Sequence, residues 1–379
     1  MNKKHVFFYL LLRPLVRIFL WFKFGYTCTV ADHLPENYIV LANHATDYDP
    51  LFVASSFPRQ MYFVGSEHIS RWKFAYKLLR YAFDPIMRPK GTVAVSTTMD
   101  VLRRIRAGAN VCIFAEGART WDGVTQAIVP STGKTVKSAR CGLVTYKIAG
   151  GYFASPNWSG KNTRRGYVHG QVVNVYTKEQ IAKLTVDEIN EIIADDLYED
   201  AYARQMKDPK PYRGKRLAEK LENLLFICPE CGKVDTLYSS DDKVICRECG
   251  LTFSYDEYGM FRNAPFKTVR EFAQWQREEV REAVRNRTTY QAPHAKMIQV
   301  VNHQESLAGE GELILSQDFL ICGEKEIPLE QILGMSRHGK RALVFSTVDA
   351  YYEILVSEGA NALKFLLLYY GYSQRVKAE

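Results

Sequence analysis

Short runs of consecutive apolar residues alternate with amphipathic stretches over the first half of the chain. Tyr38–Ala42 and Val111–Phe114 are such runs, and each has the length of a strand that is buried on both faces. The apolar spacing over Met99–Ala107 is typical of an amphipathic helix. Thr185–Glu188 has the sequence of a capping box and predicts a helix that ends at Leu197. The alternation indicates an α/β fold with flanking helices.

The last third of the chain has a different pattern. Thr268–Arg287 predicts an amphipathic helix, and from about Lys296 onward short alternating segments predict strands. Ala360–Tyr372 predicts an apolar helix that follows them. Several short strands followed by a helix are similar in topology to a pleckstrin-homology or GRAM-type barrel. An unassigned small β-rich domain is the alternative.

The N-terminal stretch His5–Phe24 is apolar and aromatic but contains basic residues. A membrane-spanning helix needs about 20 predominantly apolar residues, and Arg13 and Pro14 interrupt this run. We therefore expect a helix or helical pair in the membrane interface, with its basic residues at anionic headgroups. This predicts a peripheral or monotopic protein on the cytoplasmic face of the cell membrane. A helix buried on the protein's own core is the alternative.

Composition narrows the class of protein. A chain of 379 residues predicts two or three domains, and 47% hydrophobic with 24% charged residues excludes a disordered chain. The net charge of +8 favours an anionic partner, which could be a phosphate ester, an acidic lipid or a nucleic acid.

Two residues with complementary chemistry follow the first predicted buried strand. His44 and Asp49 have four residues between them and lie just beyond Ala42, at the strand end where α/β folds place their chemistry. A histidine can accept a proton from a hydroxyl, and a carboxylate on its other nitrogen fixes the tautomer and stabilises the imidazolium. The spacing alone is more typical of a loop histidine with ordinary acidic neighbours.

Two later segments carry groups suited to binding a phosphate. Arg88 lies downstream of the His44 segment, and Glu116 and Arg119 follow the second predicted strand. A guanidinium offers a planar pair of donors to phosphate oxygens. Glu116 could hold a substrate hydroxyl or fix Arg119 in place. Surface ion pairing explains either arginine taken separately.

In order and spacing, these three segments resemble the motif blocks of the glycerolipid acyltransferase family, which includes the lysophosphatidic acid acyltransferases. Asn43–Asp49 is similar to the block NHxSxxD, with Thr46 in the serine position. Ile86–Arg88 is similar to the second block, which ends in arginine. Phe114–Thr120 is similar to FPEGTRS, with alanine in place of the proline and the first threonine. The resemblance covers roughly residues 1–225.

The resemblance implies an O-acyltransferase of phospholipid synthesis. The acyl donor would be acyl-CoA or acyl-carrier protein, and the acceptor a hydroxyl of lysophosphatidic acid or a related glycerol phosphate. His44 would be the general base and Asp49 its orienting partner, with no catalytic cofactor. The acceptor-binding residues that the resemblance implies are Arg88, Glu116, Gly117 and Arg119. The altered positions adjoin the acceptor site and leave the acceptor open.

Four of the eight cysteines form two close pairs. Cys228/Cys231 and Cys246/Cys249 are separated by 14 residues, and a glycine follows each pair. Two such turns aim four thiolates at one tetrahedral ion, which predicts structural zinc in a reducing compartment. A redox pair or an iron–sulfur site is the alternative. The segment between Cys228 and Cys249 has three basic and five acidic residues, which disfavours nucleic-acid binding.

We expect five segments with a main boundary in the proline-containing stretch Lys207–Arg216. They are an interfacial helical segment (1–27), an acyltransferase domain (28–210), a zinc ribbon with a leading helix (211–264), a helical connector (265–295) and a small β domain with a C-terminal helix (296–379). One alternative function is a non-catalytic lipid-binding or scaffolding protein on an acyltransferase fold, which the intact His44/Asp49 pair disfavours. The other is a zinc-ribbon nucleic-acid-binding protein.

Overall fold

The chain divides into two compact units, Met1–Lys215 and Arg216–Glu379. The structure is a computed structural model. The residues that it describes are 2–29, 33–66, 74–88, 95–301, 304–338 and 341–376. The boundary between the units lies within the proline-containing stretch that the sequence indicated. The finer division into five segments stays a prediction.

The first unit is built on a seven-stranded mixed sheet. Its strands are β1 (Tyr26–Thr29), β2 (Tyr38–Ala42), β3 (Met61–Ser66), β4 (Ile86–Arg88), β5 (Asn110–Phe114), β6 (Gly142–Ala149) and β7 (Val168–Tyr176). Their order across the sheet is β1-β7-β6-β2-β5-β3-β4. Strands β6, β2, β5, β3 and β4 are parallel, while β7 is antiparallel to β6 and parallel to β1. The carboxyl ends of β2 and β5 are therefore neighbours at one edge of the sheet.

Helices cover both faces of this sheet. They are α1 (Lys3–Phe24), α2 (Asp49–Ser56), α3 (Phe74–Phe83), α4 (Val95–Arg106), α5 (Ser131–Ala139), α6 (Gly151–Ala154), α7 (Lys178–Lys183), α8 (Val186–Leu197) and α9 (Ala201–Lys207). Helices α4, α5, α7 and α8 bury apolar residues against Ile39 and Leu41 of β2. Phe52 of α2 packs on Tyr26 of β1, on the opposite face. This layered arrangement confirms the predicted α/β sheet with flanking helices.

Helix α1 is one continuous helix, which is one of the two forms, a helix or a helical pair, that the sequence left open. Pro14 lies inside the helix, and the Arg13 Nε donates to the carbonyl oxygen of Ser55 on α2 at 3.1 Å. The hydroxyl of Tyr9 donates to the carbonyl oxygen of Ala54 at 2.7 Å. These tertiary contacts offset the hydrogen bond that a proline removes from a helix interior. In the described part of the chain, α1 alone is long and apolar enough to cross a membrane, by length and composition.

The first sheet of the second unit has four antiparallel strands, one of which ends at Cys246. Its strands are β8 (Leu237–Ser240), β9 (Lys243–Cys246), β10 (Thr252–Tyr255) and β11 (Phe261–Arg262), in the order β11-β10-β9-β8. The predicted leading helix is a single 3-10 turn, Leu221–Asn223. It follows Lys220, whose φ of 71° lies in the left-handed region and interrupts a helical path.

A seven-stranded antiparallel sheet and two helices complete the second unit. The elements are α10 (Val269–Arg285), β12 (Tyr290–Val301), β13 (Gln304–Leu315), β14 (Phe319–Cys322), β15 (Lys325–Pro328), β16 (Gly334–His338), β17 (Ala342–Ser346), β18 (Tyr351–Val356) and α11 (Ala362–Val376). The strand order is β15-β14-β13-β12-β18-β17-β16. This confirms a C-terminal β-rich region that ends in a helix. The pleckstrin-homology or GRAM likeness stays a prediction.

The first strand of this sheet starts at Tyr290, earlier than the predicted start near Lys296. Pro293 lies within β12 and has no N–H for the strand ladder. The pairing with β13 shifts in register between Ala292 and Ala295, and this irregularity accommodates the proline. The interrupted alternation concealed the first half of the strand.

Candidate active site and metal site

His44 and Asp49 meet at the carboxyl end of β2. The His44 Nδ1 lies 2.8 Å from the Asp49 Oδ2, so the pair is hydrogen-bonded. The imidazole also stacks on the ring of Phe114, at the end of β5, with ring centroids 4.2 Å apart. The carboxylate and the aromatic ring together fix the orientation of the imidazole. Because Nδ1 is engaged by Asp49, Nε2 is the nitrogen that remains for a substrate.

Asp49 is fully buried, and several donors satisfy its carboxylate. Besides His44, its Oδ2 accepts hydrogen bonds from the backbone N–H groups of Ala45 and Thr46, at 2.7 and 2.9 Å. Its Oδ1 accepts from the Thr46 hydroxyl at 2.7 Å. Asp49 is also the first residue of α2, where the helix dipole favours a negative charge. The segment from His44 to Asp49 is therefore a closed turn built around one carboxylate.

Glu116 connects the two loops at this edge of the sheet. Its Oε1 accepts from the backbone N–H of His44 and its Oε2 from that of Gln126, both at 2.6 Å. The backbone N–H of Thr120 donates to the carbonyl oxygen of His44 at 2.9 Å. Both oxygens of Glu116 thus bind the main chain, one at His44 and one at Gln126. The carboxylate partner of Arg119 is Asp47 instead. Burial raises the pKa of Glu116 to about 8, although the two backbone amides favour its charged form.

Arg119 forms an ion pair with Asp47. The Arg119 Nη1 lies 2.8 Å from the Asp47 Oδ2, and the Asp47 side chain is 72% exposed. Asp47 belongs to the loop that carries His44. The ion pair therefore joins the loop after β2 to the loop after β5 on their solvent side.

Arg88, at the end of β4, reaches the same loop. A Cβ placed on Gly117 would lie 3.2 Å from the Arg88 Nη1. Gly117 has a φ of 70°, so a side chain there would meet both an unfavourable backbone conformation and the guanidinium. The structure thus places the three sequence-predicted segments at one edge of the sheet. Arg119 belongs to the loop after β5, and the Arg88 guanidinium lies beside that loop.

Three residues shape this site in ways that the sequence did not predict. Asn43 continues the pairing of β2 with β6, because its side-chain amide bonds to the backbone N–H and carbonyl of Ile148 at 2.7 and 3.0 Å. Phe114 stacks on His44, and Asp47 pairs with Arg119. All three lie inside the motif blocks, but their partners are distant in the chain or across the sheet.

The four paired cysteines converge in the second unit. Their sulfur atoms all lie within 4.8 Å of one another. Cys228 and Cys249 have sulfurs 3.6 Å apart, and those of Cys231 and Cys246 are 3.8 Å apart. These separations are too long for a disulfide, whose S–S bond is about 2.05 Å. The cluster can therefore hold one metal ion with four sulfur ligands.

The geometry of the cluster fits a tetrahedral ion. Zinc–sulfur bonds of about 2.3 Å in a tetrahedron place the sulfurs about 3.8 Å apart. Gly232 and Gly250 follow the two pairs with φ of 69° and 78°, and their N–H groups donate back to the carbonyls of Cys228 and Cys246. These turns point both thiols of each pair to the same side. The side chain of Lys233 also pairs with Glu248, which joins the two turns.

Comparisons with known proteins identify the domain that carries the His44 site. Residues 26–149 match the family model described as Acyltransferase. The matched residues include the three motif blocks, and the match confirms the resemblance seen in them. Comparison with curated protein sequences gives no match.

A solved structure is also similar to this chain. It is the crystal structure of the 1-acyl-sn-glycerophosphate (LPA) acyltransferase PlsC from Thermotoga maritima, with a TM-score of 0.44 and 16% sequence identity. The similarity covers 52% of this chain and 78% of that chain.

Burial of Glu116 predicts a pH-dependent stability. A carboxyl whose pKa is about 8 when folded, against 4.5 ordinarily, binds its proton more tightly in the folded protein. Its stabilising effect is complete below pH 4.5 and is lost as the pH rises through 8, because the unfolded chain then holds fewer protons than the folded one. We therefore expect the stability advantage of the wild type over Glu116→Gln to shrink from pH 5 to pH 9.

Urea denaturation of both proteins across that range measures this effect. Tryptophan fluorescence reports mainly on the first unit, since four of the five tryptophans lie before residue 215. Each proton bound differently by the two states changes the free energy of unfolding by about 1.4 kcal/mol per pH unit at most. Parallel pH profiles for the two proteins would show that Glu116 has an ordinary pKa.

The cysteine cluster predicts one zinc ion per chain, measurable by elemental analysis of the purified protein. Cys246→Ser should lose the metal and destabilise the second unit, because a four-thiolate site contributes directly to folding free energy. Cys28→Ser, which changes a cysteine of the first unit outside the cluster, is the matched control and should keep the metal. Protein without metal, or with iron and visible absorption, would reject the zinc assignment.

Proposed function

We propose that this protein is an O-acyltransferase that acylates a hydroxyl of lysophosphatidic acid or a related glycerol phosphate. The donor is a thioester, either acyl-CoA or acyl-carrier protein. The observation that carries this proposal is the hydrogen bond between the His44 Nδ1 and the buried Asp49 carboxylate, at the carboxyl end of parallel strands in an acyltransferase-family domain.

In the proposed reaction, His44 acts as general base through Nε2. The acceptor hydroxyl gives its proton to Nε2 as its oxygen attacks the thioester carbonyl carbon. The resulting tetrahedral intermediate collapses with cleavage of the C–S bond, and the protonated imidazole returns the proton to the leaving thiolate. Asp49 holds the Nδ1–H tautomer and stabilises the imidazolium, in the way that a buried carboxylate supports a catalytic histidine.

The other predicted site residues take different roles in this proposal. Arg88 and Arg119 bind the acceptor phosphate, since two guanidiniums near one loop provide paired charge-assisted donors. Gly117 leaves room for the Arg88 guanidinium beside the loop. Glu116 is a positioning residue, because its two oxygens hold the backbone at His44 and Gln126. Zinc in the cysteine cluster would be structural, since four thiolates complete its coordination and leave no site for a substrate.

The protein is proposed to work at an anionic membrane surface through α1. One side of this helix packs on the first unit through Tyr9, Leu20 and Phe24. The apolar residues exposed on the other side are Phe7, Leu10, Leu11, Leu15, Ile18, Phe19, Trp21 and Phe22. A spanning orientation would break the contacts of the packed side, so the helix is placed in the interface of the cytoplasmic leaflet. Lys3, Lys4 and Arg17 would meet acidic headgroups there.

The catalytic assignment predicts that His44→Ala loses acyl transfer while the fold is kept. Loss of a general base costs about 10²–10⁴-fold in rate. The measurement is transfer of a labelled acyl group from thioester to a panel of lysolipids and to glycerol 3-phosphate, with circular dichroism as a test of folding. His33→Ala changes a histidine that lies before β2 and serves as the control. Near-normal turnover by folded His44→Ala would remove His44 from the mechanism.

The interfacial assignment predicts that exposed residues of α1 determine membrane binding. A Leu11→Glu/Ile18→Glu variant should co-sediment less with vesicles containing anionic lipid, because two charges would enter the acyl boundary. Wild-type binding should also weaken with added salt. Met206→Glu changes an apolar residue that is 60% exposed on α9 and should bind as the wild type does. Equal sedimentation of all three proteins would show that α1 is not the membrane anchor.

A further inference from the structure

The Arg119–Asp47 ion pair lies at the rim of the site, and the mechanism above uses Arg119 but gives Asp47 no role. The Arg119 side chain is 28% exposed and that of Asp47 is 72% exposed, with 2.8 Å between the Nη1 and the Oδ2. Asp47 therefore contacts solvent over most of its surface. A carboxylate in this position is free to leave the guanidinium when a stronger anion arrives.

The backbone around this pair fixes it close to His44. Thr120, which follows Arg119, donates its backbone N–H to the carbonyl oxygen of His44, while Glu116 accepts from the N–H of His44. Asp47 lies in the turn that Asp49 closes. Both partners of the ion pair thus extend from segments that are hydrogen-bonded around the imidazole. An anion held by Arg119 would therefore lie beside the His44 site.

Arg88 and Arg119 differ in their charge environment. Within the described ranges, Arg119 has a carboxylate partner and Arg88 has none. Arg88, Arg119 and Asp47 thus contribute two cations and one anion to the rim of the site. An acceptor phosphate that engages both guanidiniums competes with the Asp47 carboxylate for the donors of Arg119, and the two anions repel each other.

We propose that Asp47 is an affinity-setting residue whose carboxylate competes with the phosphate of the acceptor for Arg119. This inference rests on the proposed function for the identity of the acceptor. Freeing Arg119 from Asp47 costs the same free energy for every acceptor whose phosphate binds there, so the carboxylate lowers the affinity for all such acceptors by one factor.

The test is a titration of the full-length protein with glycerol 3-phosphate, which measures binding without turnover. The proteins compared are the wild type, Asp47→Asn, Asp47→Glu, Arg119→Ala and the Asp47→Asn/Arg119→Ala double variant. An exposed ion pair changes an equilibrium constant by up to about fivefold, so Asp47→Asn should lower the Kd for glycerol 3-phosphate about two- to fivefold. Asp47→Glu keeps the charge and should bind as the wild type does.

The double variant separates competition from a general effect of charge. If Asp47 acts through Arg119, the Asp47→Asn gain should vanish when Arg119 is alanine. In acyl-transfer assays, the same change should appear as a lower KM for the phosphate acceptor with little change in kcat. A protein that binds glycerol 3-phosphate as described but transfers no acyl group would contradict the proposed function and leave the role of Asp47 supported.

Three results would overturn the proposal. Weaker binding by Asp47→Asn would mean that Asp47 orients Arg119 instead of competing with the phosphate. A gain that persists in the Arg119→Ala background would mean that Asp47 acts through the general field. An absence of glycerol 3-phosphate binding by Asp47→Asn would mean that Arg119 does not hold a phosphate monoester.

Discussion

The buried carboxylate of Asp49 is the constraint on which the candidate active site depends. A charge removed from water is costly unless hydrogen bonds replace its hydration. Asp49 meets this requirement with the His44 imidazole, two backbone N–H groups and the Thr46 hydroxyl, at the start of α2. The same contacts that satisfy the charge close the turn and aim the imidazole. Stability of the loop and orientation of the proposed base therefore have one physical cause.

Glu116 extends this constraint to the second loop. Its buried carboxyl accepts from the backbone N–H groups of His44 and Gln126, so the loops after β2 and β5 are held at a fixed spacing. The two acidic side chains have different roles. Asp49 contacts the imidazole of the proposed base, whereas Glu116 contacts the backbone N–H of His44. The hydrogen bonds of Asp49 and Glu116 hold the two loops, and they do not involve the side chains of Arg88 and Arg119 on the rim of the site. Under this arrangement, a change at a rim residue such as Asp47 should alter acceptor affinity without disturbing the imidazole.

Much of the fold, and the composition of the site, could be predicted from the sequence. The apolar run Tyr38–Ala42 is the central strand β2, and the capping box at Thr185 begins α8 as its sequence indicates. The spacing of the cysteine pairs predicted a four-sulfur cluster that the structure brings together. These signals are local, since each depends on residue types a few positions apart. The different roles of Asp49 and Glu116 could not be predicted from local sequence, because Glu116 meets His44 only after β2 and β5 pair. The same reason hid the Arg119–Asp47 pair and the continuity of α1 through Pro14.

The tautomer of His44 tests the central claim most directly. Histidine labelled with ¹⁵N in its ring gives separate NMR signals for protonated and unprotonated nitrogens, and the His44 signals are those absent from His44→Ala. At a pH where the imidazole is neutral, the account predicts the proton on Nδ1, donated to Asp49, and a bare Nε2. A proton on Nε2 in the folded protein would contradict it, because that nitrogen could then not accept a proton from an acceptor hydroxyl.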